Sequence, residues 1–442
     1  MKNNPIKNGE NMELKQDYDS PRWSGEICDC SMPLTFDTYS TCAYNCLYCF
    51  AYFQKSHKIK GYKGKFDSKN RYVRSVNPER IKKMFINCLN DNPQSSYEKQ
   101  VYPYIKNRIT MQWGGMADGF DDWEKEYGIS LELLKFFDEI DYPLSISTKG
   151  AWWTKDPRYM NIIKKHKHNW HFKISIITLD EIKASVIEEY CPTPKERLKA
   201  IKRLSDLGIH VTLRLRPYII GLSDDYPQLI HEASKMGADS VTTEFFCLET
   251  RAKEDLKQKY ADISKVVGYN VWDFYRKHSK GSGYNRLNYQ IKKPIIKNMK
   301  KIAHKHKMLF YVSDAHHKEK CDTVCCCGTP PSFKIYDGHF AGALQIAKKR
   351  KDHKVYWKDI KNKVELLFNH FEWCGAMGFN YGNTKLLAKR KTQTMADYLR
   401  SIWNNPKDGK SPYKYFEGIL YPVGLDEDNN VIYKYNTKKA RS

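Results

Sequence analysis

The chain has 442 residues, 41% of them hydrophobic and 14% aromatic, which suffices for one large domain with appendages or for two domains. Lys and Arg number 75 against 51 Asp and Glu, a formal net charge of +24. This charge favours polyanions such as DNA or RNA, although biased coding alone would also raise the lysine content. The chain lacks a bilayer-long apolar run, its first residues lack the apolar centre of a signal peptide, and its 13 cysteines, an odd number, do not indicate a disulfide framework. We therefore expect a cytoplasmic protein without a membrane partner.

Short β-rich runs alternate with helical segments from Thr41 to about Asp314, which is typical of a parallel α/β fold. The predicted strands are Leu34 to Tyr39, Arg108 to Trp113, Pro143 to Thr148, Phe172 to Ile177, His210 to Arg216, Ser240 to Phe246 and Met308 to Val312. The predicted helices are about Leu131 to Ile140, Pro157 to Lys165, Pro227 to Met236, and one that starts at a Thr193–Glu196 capping box and ends at Gly208. We expect residues 1–33 to form an N-terminal extension, 34–328 the α/β domain and 329–442 a basic accessory region.

The predicted strands carry polar and apolar side chains at alternating positions. Successive side chains point to opposite faces of a sheet, so the apolar set can pack on helices while the polar set shares the other face. The polar set is Ser145, Ser147, Lys149, Lys173, Ser175, Thr212, Arg214, Arg216, Thr242 and Glu244. Because a filled barrel would line its interior with branched apolar residues, we expect an open, polar interior. The alternative is an exposed sheet face with helices on one side only.

Three cysteines, Cys42, Cys46 and Cys49, stand as C-x3-C-x2-C directly after the first predicted strand. Three thiolates on one loop can hold three irons of a 4Fe-4S cluster and leave the fourth iron open to the amine and carboxylate of a small molecule. A zinc knuckle is one alternative, but zinc prefers four ligands and usually pairs two C-x2-C halves. Three structural cysteines are the other, but they need no fixed spacing.

A second cysteine group has the sequence CDTVCCC and starts at Cys321. Cys321 and Cys325 are candidate ligands of an auxiliary iron–sulfur cluster or zinc ion, which the segment 28–30 could complete. Cys326 and Cys327 are candidate catalytic residues, as a hydrogen-atom donor or a thiolate near the substrate. Buried packing is the alternative, although four thiols in seven residues exceed ordinary usage.

The first cysteine motif, with Tyr48 before its last cysteine and Phe50 after it, resembles the signature of the radical S-adenosylmethionine (SAM) superfamily. More narrowly, the chain from about Pro33 to Phe246 is similar to the branch that contains spore photoproduct lyase and the DNA repair photolyases. The stretches that carry this resemblance are Trp113 to Met116, Ala117 to Glu124, Ser147 to Lys149, Glu188 to Leu198 and Pro217 to Asp224. No cysteine matches the position of the hydrogen donor of spore photoproduct lyase.

The resemblance implies a partial (β/α)6 TIM-type barrel with a 4Fe-4S cluster and SAM at its open C-terminal face. It implies a Gly-Gly turn that receives the methionyl amine, with Met116 in place of the usual acidic residue, and a lysine that meets the cofactor's carboxylate. Polar groups of later strands would contact the ribose and carboxylate, and Arg216 is an alternative to Arg214 in this role. The candidate SAM-binding residues are Gly114, Gly115, Met116, Lys149, Ser175 and Arg214.

The resemblance also implies a radical SAM enzyme, in which a reduced cluster cleaves SAM to a 5'-deoxyadenosyl radical that abstracts hydrogen from a substrate. The family branch and the charge of +24 favour a nucleic-acid base or sugar as that substrate. Residues Arg350 to Arg400, basic and interleaved with aromatics, could contact phosphates and stack on bases, although ordinary amphipathic surface helices have the same composition. Flavodoxin or ferredoxin is the expected reducing partner. Two alternatives stay open: modification of a peptide or small metabolite with an auxiliary metal site, and a non-catalytic iron–sulfur protein that binds nucleic acid.

Overall fold

The computed structural model describes residues 13–24, 27–51, 72–250, 254–279, 284–369 and 394–441. Its strands are β1 (Glu13–Lys15), β2 (Arg22–Trp23), β3 (Leu34–Phe36), β4 (Tyr72–Arg74), β5 (Met111–Trp113), β6 (Leu144–Thr148), β7 (Trp170–Ser175), β8 (His210–Tyr218), β9 (Ser240–Phe245), β10 (Cys247–Glu249), β11 (Tyr284–Arg286), β12 (Leu309–Val312), β13 (Lys354–Val355), β14 (Leu420–Leu425) and β15 (Val431–Tyr435).

The helices connect these strands. They are α1 (Pro78–Leu89), α2 (Ser96–Lys106), α3 (Asp122–Tyr127), α4 (Ile129–Glu139), α5 (Pro157–Ile163), α6 (Glu181–Ile187), α7 (Pro194–Asp206), α8 (Tyr226–Lys235), α9 (Glu254–Val267), α10 (Val271–His278), α11 (Tyr289–Lys305), α12 (Phe340–Lys349), α13 (Lys358–Phe368), α14 (Met395–Trp403), α15 (Pro412–Tyr415) and α16 (Thr437–Arg441). Single 3-10 turns occupy Trp152–Lys155 and Ala315–Lys320. None of the helices within the described ranges is both long and apolar enough to cross a bilayer.

Eight strands form one sheet in the order β12-β9-β8-β7-β6-β5-β3-β2. The pairs β6–β7, β7–β8 and β8–β9 are parallel, and β2 pairs antiparallel with β3 at one edge. Helices follow strands β5 to β9, so the chain crosses back over the sheet after each of them. This order confirms the predicted α/β fold of successive strand–helix units, and β12 and β2 are the outermost strands of the sheet in the described part of the chain.

The seven predicted strands of this sheet are all present, with different ends. The strand predicted from Arg108 begins at Met111, because Arg108 has a backbone φ of 51°, a left-handed conformation that no strand residue adopts. The strand predicted from Phe172 to Ile177 lies two residues earlier, at Trp170–Ser175. The first predicted strand ends at Phe36, because the chain after it turns into the loop that carries the first three cysteines.

Helix α7 shows how local sequence sets these elements. The Thr193 hydroxyl accepts a hydrogen bond from the Glu196 amide at 3.2 Å, and the Glu196 carboxylate accepts one from the Thr193 amide at 2.9 Å. Pro194 occupies the first turn, where its missing N–H costs nothing, and Leu198 and Leu204 are buried beneath the sheet-facing side of the helix. The predicted capping box and apolar stripe are confirmed.

The predicted polar face of the sheet is present as a chain of side-chain hydrogen bonds across four strands. His171 lies between Ser145, at 2.9 Å, and Thr212, at 2.7 Å, and Thr212 contacts Ser240 at 2.6 Å. All four side chains are buried, and burial lowers the pKa of His171 well below its usual value, so the ring is neutral. These polar side chains therefore form a buried, hydrogen-bonded layer on one face of the sheet, and they are not exposed to solvent.

The chain forms two compact units. The first comprises Met1–Ser20, Phe36–Arg80 and Trp113–Phe310, and the second Pro21–Thr35, Ile81–Gln112 and Tyr311–Ser442. Both units draw on separated stretches of sequence, whereas the three segments predicted above are consecutive. Of the basic aromatic stretch predicted to contact nucleic acid, residues 370–393 lie outside the described residues, and Arg350 forms an ion pair with Asp359 at 2.7 Å.

Candidate metal and cofactor site

The first three cysteines lie on the loop between β3 and the described end of this segment at residue 51, all within the first unit. Cys46 is buried, while Cys42 and Cys49 are partly exposed. The Cys49 amide donates to the Cys46 carbonyl at 3.2 Å, and the Leu47 amide donates to the carbonyl of Ile187 at 3.0 Å. These hydrogen bonds fix the loop backbone before metal binds, so that the thiols are held by the fold itself.

An acidic segment after β5 braces this loop. The Asp121 carboxylate accepts from the Ala43 amide of the loop at 2.5 Å, and Glu124 accepts from the hydroxyls of Tyr39 and Tyr159, both at 2.7 Å. Burial raises the pKa of both carboxyls, and the hydrogen bonds that each receives oppose that rise. This segment, with Asp118, is the stretch that resembles the family branch, and its acidic residues act here as supports of the cysteine loop.

A buried ion pair lies against the loop from another side. Arg197 donates to Glu188 at 2.5 Å and to the Ser175 carbonyl at 2.7 Å, and the hydroxyl of Tyr48 donates to the same Glu188 carboxylate. Each side chain of the ion pair is only 1% exposed. Burial alone would raise the pKa of Glu188. Arg197, together with Lys149 and the Tyr48 hydrogen bond, more than offsets burial, and the net shift of this pKa is downward. Glu188 is therefore a carboxylate that anchors the residue preceding Cys49.

A fourth thiol, which sequence reasoning missed, belongs to this site. The Cys191 sulfur lies 3.7 Å from the Cys46 sulfur, and donor atoms of Cys46, Glu188 and Cys191 lie within 4.8 Å of one another. Burial and the neighbouring Cys46 raise the pKa of Cys191 well above its usual value, which keeps it a neutral thiol able to donate to the Cys46 sulfur. The available signal was its place inside the Glu188 to Leu198 stretch that resembles the family branch.

Two cations and a hydroxyl from consecutive strands accompany the thiols. Lys149 follows the end of β6, Ser175 is the last residue of β7, and Arg214 lies on β8 with its guanidinium 3.4 Å from the Ser175 hydroxyl. Burial lowers the pKa of Lys149, but attraction to Cys46 and to the Glu188 carboxylate outweighs burial, and the net shift is upward. Lys149 is therefore a fixed positive charge beside the thiols.

The two predicted candidates for the arginine role differ in their partners. Arg216 forms an ion pair with Glu244 on β9, whereas Arg214 contacts Ser175. The two guanidiniums thus lie beside different groups, and the assignment of either one to the cofactor stays a prediction.

The predicted Gly-Gly turn follows β5. Gly114 has a φ of +86°, and a Cβ at this position would lie 2.3 Å from the carbonyl oxygen of Ser147 on β6, so only glycine fits. The Asp37 carboxylate accepts from the amides of Met116 at 2.8 Å and Ala117 at 3.1 Å. Asp37, which sequence reasoning did not single out, thereby ties this turn to the start of the cysteine loop.

The donor set fits an iron–sulfur cluster better than a single hard cation, because its ligands are soft thiols on one short loop. In the close group of Cys46, Glu188 and Cys191, the Glu188 carboxylate is already hydrogen-bonded to Arg197, which makes it less available as a ligand of a single ion. Positive charge from Lys149 and Arg214 suits a ligand that carries a carboxylate.

The second cysteine group lies within the second unit. Lys318 forms a buried ion pair with Asp29, and its ammonium group lies 3.5 Å from the Cys326 sulfur. A hydrogen bond with Cys327 raises the pKa of Cys326 well above its usual value, as does burial, and the same neighbour lowers the pKa of Cys325. Cys326 is thus held as a neutral thiol.

Cys321 in this group is bonded to the backbone of β12. Its sulfur accepts from the Val312 amide at 3.2 Å and donates to the Val312 carbonyl at 3.3 Å. Within the described part of the chain, the sets of three or more metal donors that lie within 4.8 Å of one another do not include Cys321 or Cys325. A metal ion or auxiliary cluster at this second group stays a prediction, as do the catalytic roles of Cys326 and Cys327.

Comparisons with known proteins give distant likenesses. No protein-family model matches the chain. An uncharacterized protein, ORF301, of Acidianus two-tailed virus is 28% identical over 148 residues, which is 31% of this chain and 48% of that protein, so the chain spans about half the length of the curated relative it matches.

Among solved structures, spore photoproduct lyase with bound AdoMet and dinucleoside spore photoproduct superposes with a TM-score of 0.48 at 16% identity, over 68% of this chain and 80% of that one. SuiB of Streptococcus suis bound to the precursor peptide SuiA superposes with a TM-score of 0.39 at 14% identity, over 65% and 50%. At TM-scores below 0.5 these likenesses assign no function to the chain.

Proposed function

We propose that the chain is a radical SAM enzyme of the branch that contains spore photoproduct lyase and the DNA repair photolyases, with a 4Fe-4S cluster on Cys42, Cys46 and Cys49. The observation that carries the proposal is the meeting, in one unit, of this three-cysteine loop with a cation, Lys149, that follows a strand of a parallel sheet. Chemistry in parallel α/β folds collects at the carboxyl ends of the strands, where Lys149 and Ser175 lie.

When bound, a reduced cluster of this kind gives SAM one electron and yields methionine and a 5'-deoxyadenosyl radical. The chain's own residues bind and orient. Lys149 offers its ammonium to the cofactor's carboxylate, Arg214 and Ser175 offer hydrogen bonds to its carboxylate or ribose, and Gly114 lets the backbone come close to it. Glu188 and Arg197 hold the cysteine loop through Tyr48, so the metal-binding geometry is preorganised.

The proposed substrate is a base or sugar of DNA or RNA. The net charge of +24 supports a polyanionic substrate, because basic proteins gain affinity from phosphate neutralisation and counterion release. A base inside a duplex would have to be flipped out to reach a buried site, at a cost of a few kcal/mol, so single strands should react faster. The proposed reductant is a flavodoxin or ferredoxin, and the proposed location is the cytoplasm.

Anaerobic reconstitution tests the chemistry. Protein loaded with iron and sulfide is treated with dithionite and SAM, and 5'-deoxyadenosine is quantified by chromatography. We expect its formation by the wild type and its loss in Cys46→Ala, with Cys88→Ala as a control, because Cys88 lies on α1 outside the site. Equal yields from wild type and Cys46→Ala would contradict the proposal, as would a purified protein that binds no iron.

Substrate class has a separate readout. Single-stranded and duplex oligonucleotides, a peptide library and a metabolite extract are each added to the reconstituted protein, and the rate of 5'-deoxyadenosine formation is compared. We expect single-stranded nucleic acid to accelerate the reaction and the acceleration to fall as salt rises. Acceleration by peptides alone would support the peptide-modifying alternative instead.

A further inference from the structure

A second cluster of metal-ligating side chains lies in the first unit, at the amino ends of two inner strands of the sheet. Asp141 lies between α4 and β6, and His166 and His168 lie between α5 and β7. Donor atoms of these three side chains lie within 4.8 Å of one another. Because both loops precede parallel strands, the cluster sits at the amino ends of β6 and β7, away from the residues assigned to SAM.

The hydrogen-bond partners of His166 in the described structure are acceptors. Its Nε2 lies 2.8 Å from the Asp138 carboxylate, and its Nδ1 lies 3.2 Å from Asp141 Oδ1 and 3.2 Å from Asn169 Oδ1. The Asn169 amide is oriented by its own donation to Asp141 Oδ1 at 2.8 Å and to the Asp141 carbonyl at 3.1 Å, so its oxygen must face the ring. Among the described residues, the hydrogen-bonding contacts of both His166 nitrogens are thus acceptors, which a metal cation bound at Nδ1 would suit.

The distances match a tetrahedral cation. Zinc-to-nitrogen and zinc-to-oxygen bonds of about 2.0–2.1 Å at a tetrahedral angle place neighbouring donors about 3.3 Å apart. Asp141 Oδ1 lies 3.2 Å from His166 Nδ1 and 3.3 Å from His168 Nε2. These three donors could therefore surround one ion with only small movements.

The surroundings of His166 are those of a metal-binding histidine. Asp138 accepts from its Nε2–H, which leaves Nδ1 as the ligand atom, and a carboxylate in this position is the usual support of a ligating imidazole. The ring stacks on Trp170 with centroids 4.0 Å apart and is only 4% exposed, so its orientation is fixed. Lys165 also contacts Asp138, at 2.7 Å, and partly offsets its negative charge.

We propose that Asp141, His166 and His168 bind one divalent transition-metal ion of the zinc type, with water as the fourth ligand. Two imidazoles and one carboxylate favour zinc, cobalt or nickel over magnesium and calcium, which prefer oxygen ligands. His168 is 62% exposed and Asp141 56% exposed, so the ion has an entry path from solvent. The ion would join the two loops that precede β6 and β7, and its role would be to stabilise the fold, independently of the proposed radical chemistry.

Metal binding is measured on the full chain with its three-cysteine loop loaded with iron and sulfide, since the free thiols of that loop would also bind cobalt. Cobalt(II) serves as the probe, and bound cobalt per chain is counted by elemental analysis after equilibrium dialysis. We expect the wild type to bind one equivalent beyond any cobalt held by the remaining thiols, and this equivalent to bind at least tenfold more weakly in Asp141→Asn and His168→Ala. His304→Ala, which removes an exposed histidine of α11, should bind as the wild type does.

A second measurement guards against loss through misfolding. Cobalt should raise the thermal unfolding midpoint of the wild type and of His304→Ala, and leave that of the two site variants unchanged, while all four proteins keep equal iron content and circular dichroism. Equal cobalt binding by all four proteins, or binding by none, would overturn the proposal.

Discussion

Replacement of Arg197 by Met tests whether the buried ion pair supports the cysteine loop. The change removes two charge-assisted hydrogen bonds, to Glu188 at 2.5 Å and to the Ser175 carbonyl at 2.7 Å, and leaves the Glu188 carboxylate buried without its main partner. Removing one member of a buried pair costs about 3–5 kcal/mol. We expect a loss of this size in the free energy of unfolding, measured by urea titration at pH 7. We also expect a lower iron content, because Tyr48 hydrogen-bonds the same carboxylate.

The pH dependence should change sign. In the wild type the folded pKa of Glu188 is lowered below its ordinary value of 4.5, so its contribution to stability is present above that value and is lost as pH falls through the folded pKa. Without Arg197, we expect burial, the largest single cause, to outweigh Lys149 and Tyr48 and to raise the folded pKa of Glu188, so that the variant loses stability as pH rises from 4.5 through that folded pKa. The deficit of Arg197→Met should therefore be larger at pH 7 than at pH 5.

Two further variants make this test decisive. Glu188→Gln combined with Arg197→Met removes the stranded charge, and we expect it to be more stable than Arg197→Met alone by about 1–3 kcal/mol. Lys202→Met removes an ion pair with Asp206 on the exposed side of the same helix and should change little, since exposed pairs contribute little. A loss below about 1 kcal/mol for Arg197→Met, equal at pH 5 and pH 7, would refute the reasoning.

Three other perturbations have defined outcomes. Cys46→Ala should lose most of its bound iron while Cys88→Ala retains it, and equal iron in both would count against the cluster site. Cys191→Ala removes a thiol donor 3.7 Å from the Cys46 sulfur. A net hydrogen bond of about 1 kcal/mol corresponds to roughly 40 mV for a one-electron couple. The reduction potential of the cluster in Cys191→Ala, measured by redox titration, should therefore fall by up to that amount. An unchanged or higher potential would show that Cys191 does not donate a hydrogen bond to the cluster ligand. Gly114→Ala places a Cβ 2.3 Å from a β6 carbonyl oxygen and should abolish SAM binding in equilibrium dialysis. The control Gly128→Ala, at φ +68° with open space around the Cβ, should lose stability only. Equal SAM binding by both variants would refute the role of the Gly114 turn.

The parts of the site that are close in sequence could be predicted. The C-x3-C-x2-C spacing lies within eight residues, so one loop places all three thiols whatever the rest of the chain does. The strands were recognisable because alternating polar and apolar positions persist over five or six residues. Boundaries were less accurate where a single backbone conformation ends a strand, as at Arg108.

The partners of the cysteine loop could not be predicted, because they come from distant parts of the chain. Glu188 meets Tyr48 across 140 residues, Cys191 meets Cys46 across 145 and Asp37 meets Met116 across 79. Each of these pairs depends on the order of the strands in the sheet, which no local pattern specifies.

The sequence by itself determined the α/β class, the polar parity of the strands and the three-cysteine loop, since each of these depends on residues a few positions apart. Only the tertiary structure decided which buried charges support that loop, which arginine contacts Ser175, and that Asp141 approaches His166 and His168. The physical reason is that parallel pairing joins strands separated by a whole helix. At each end of the strands, side chains from adjacent strands therefore become neighbours through the hydrogen-bond register, which forms only when the chain folds.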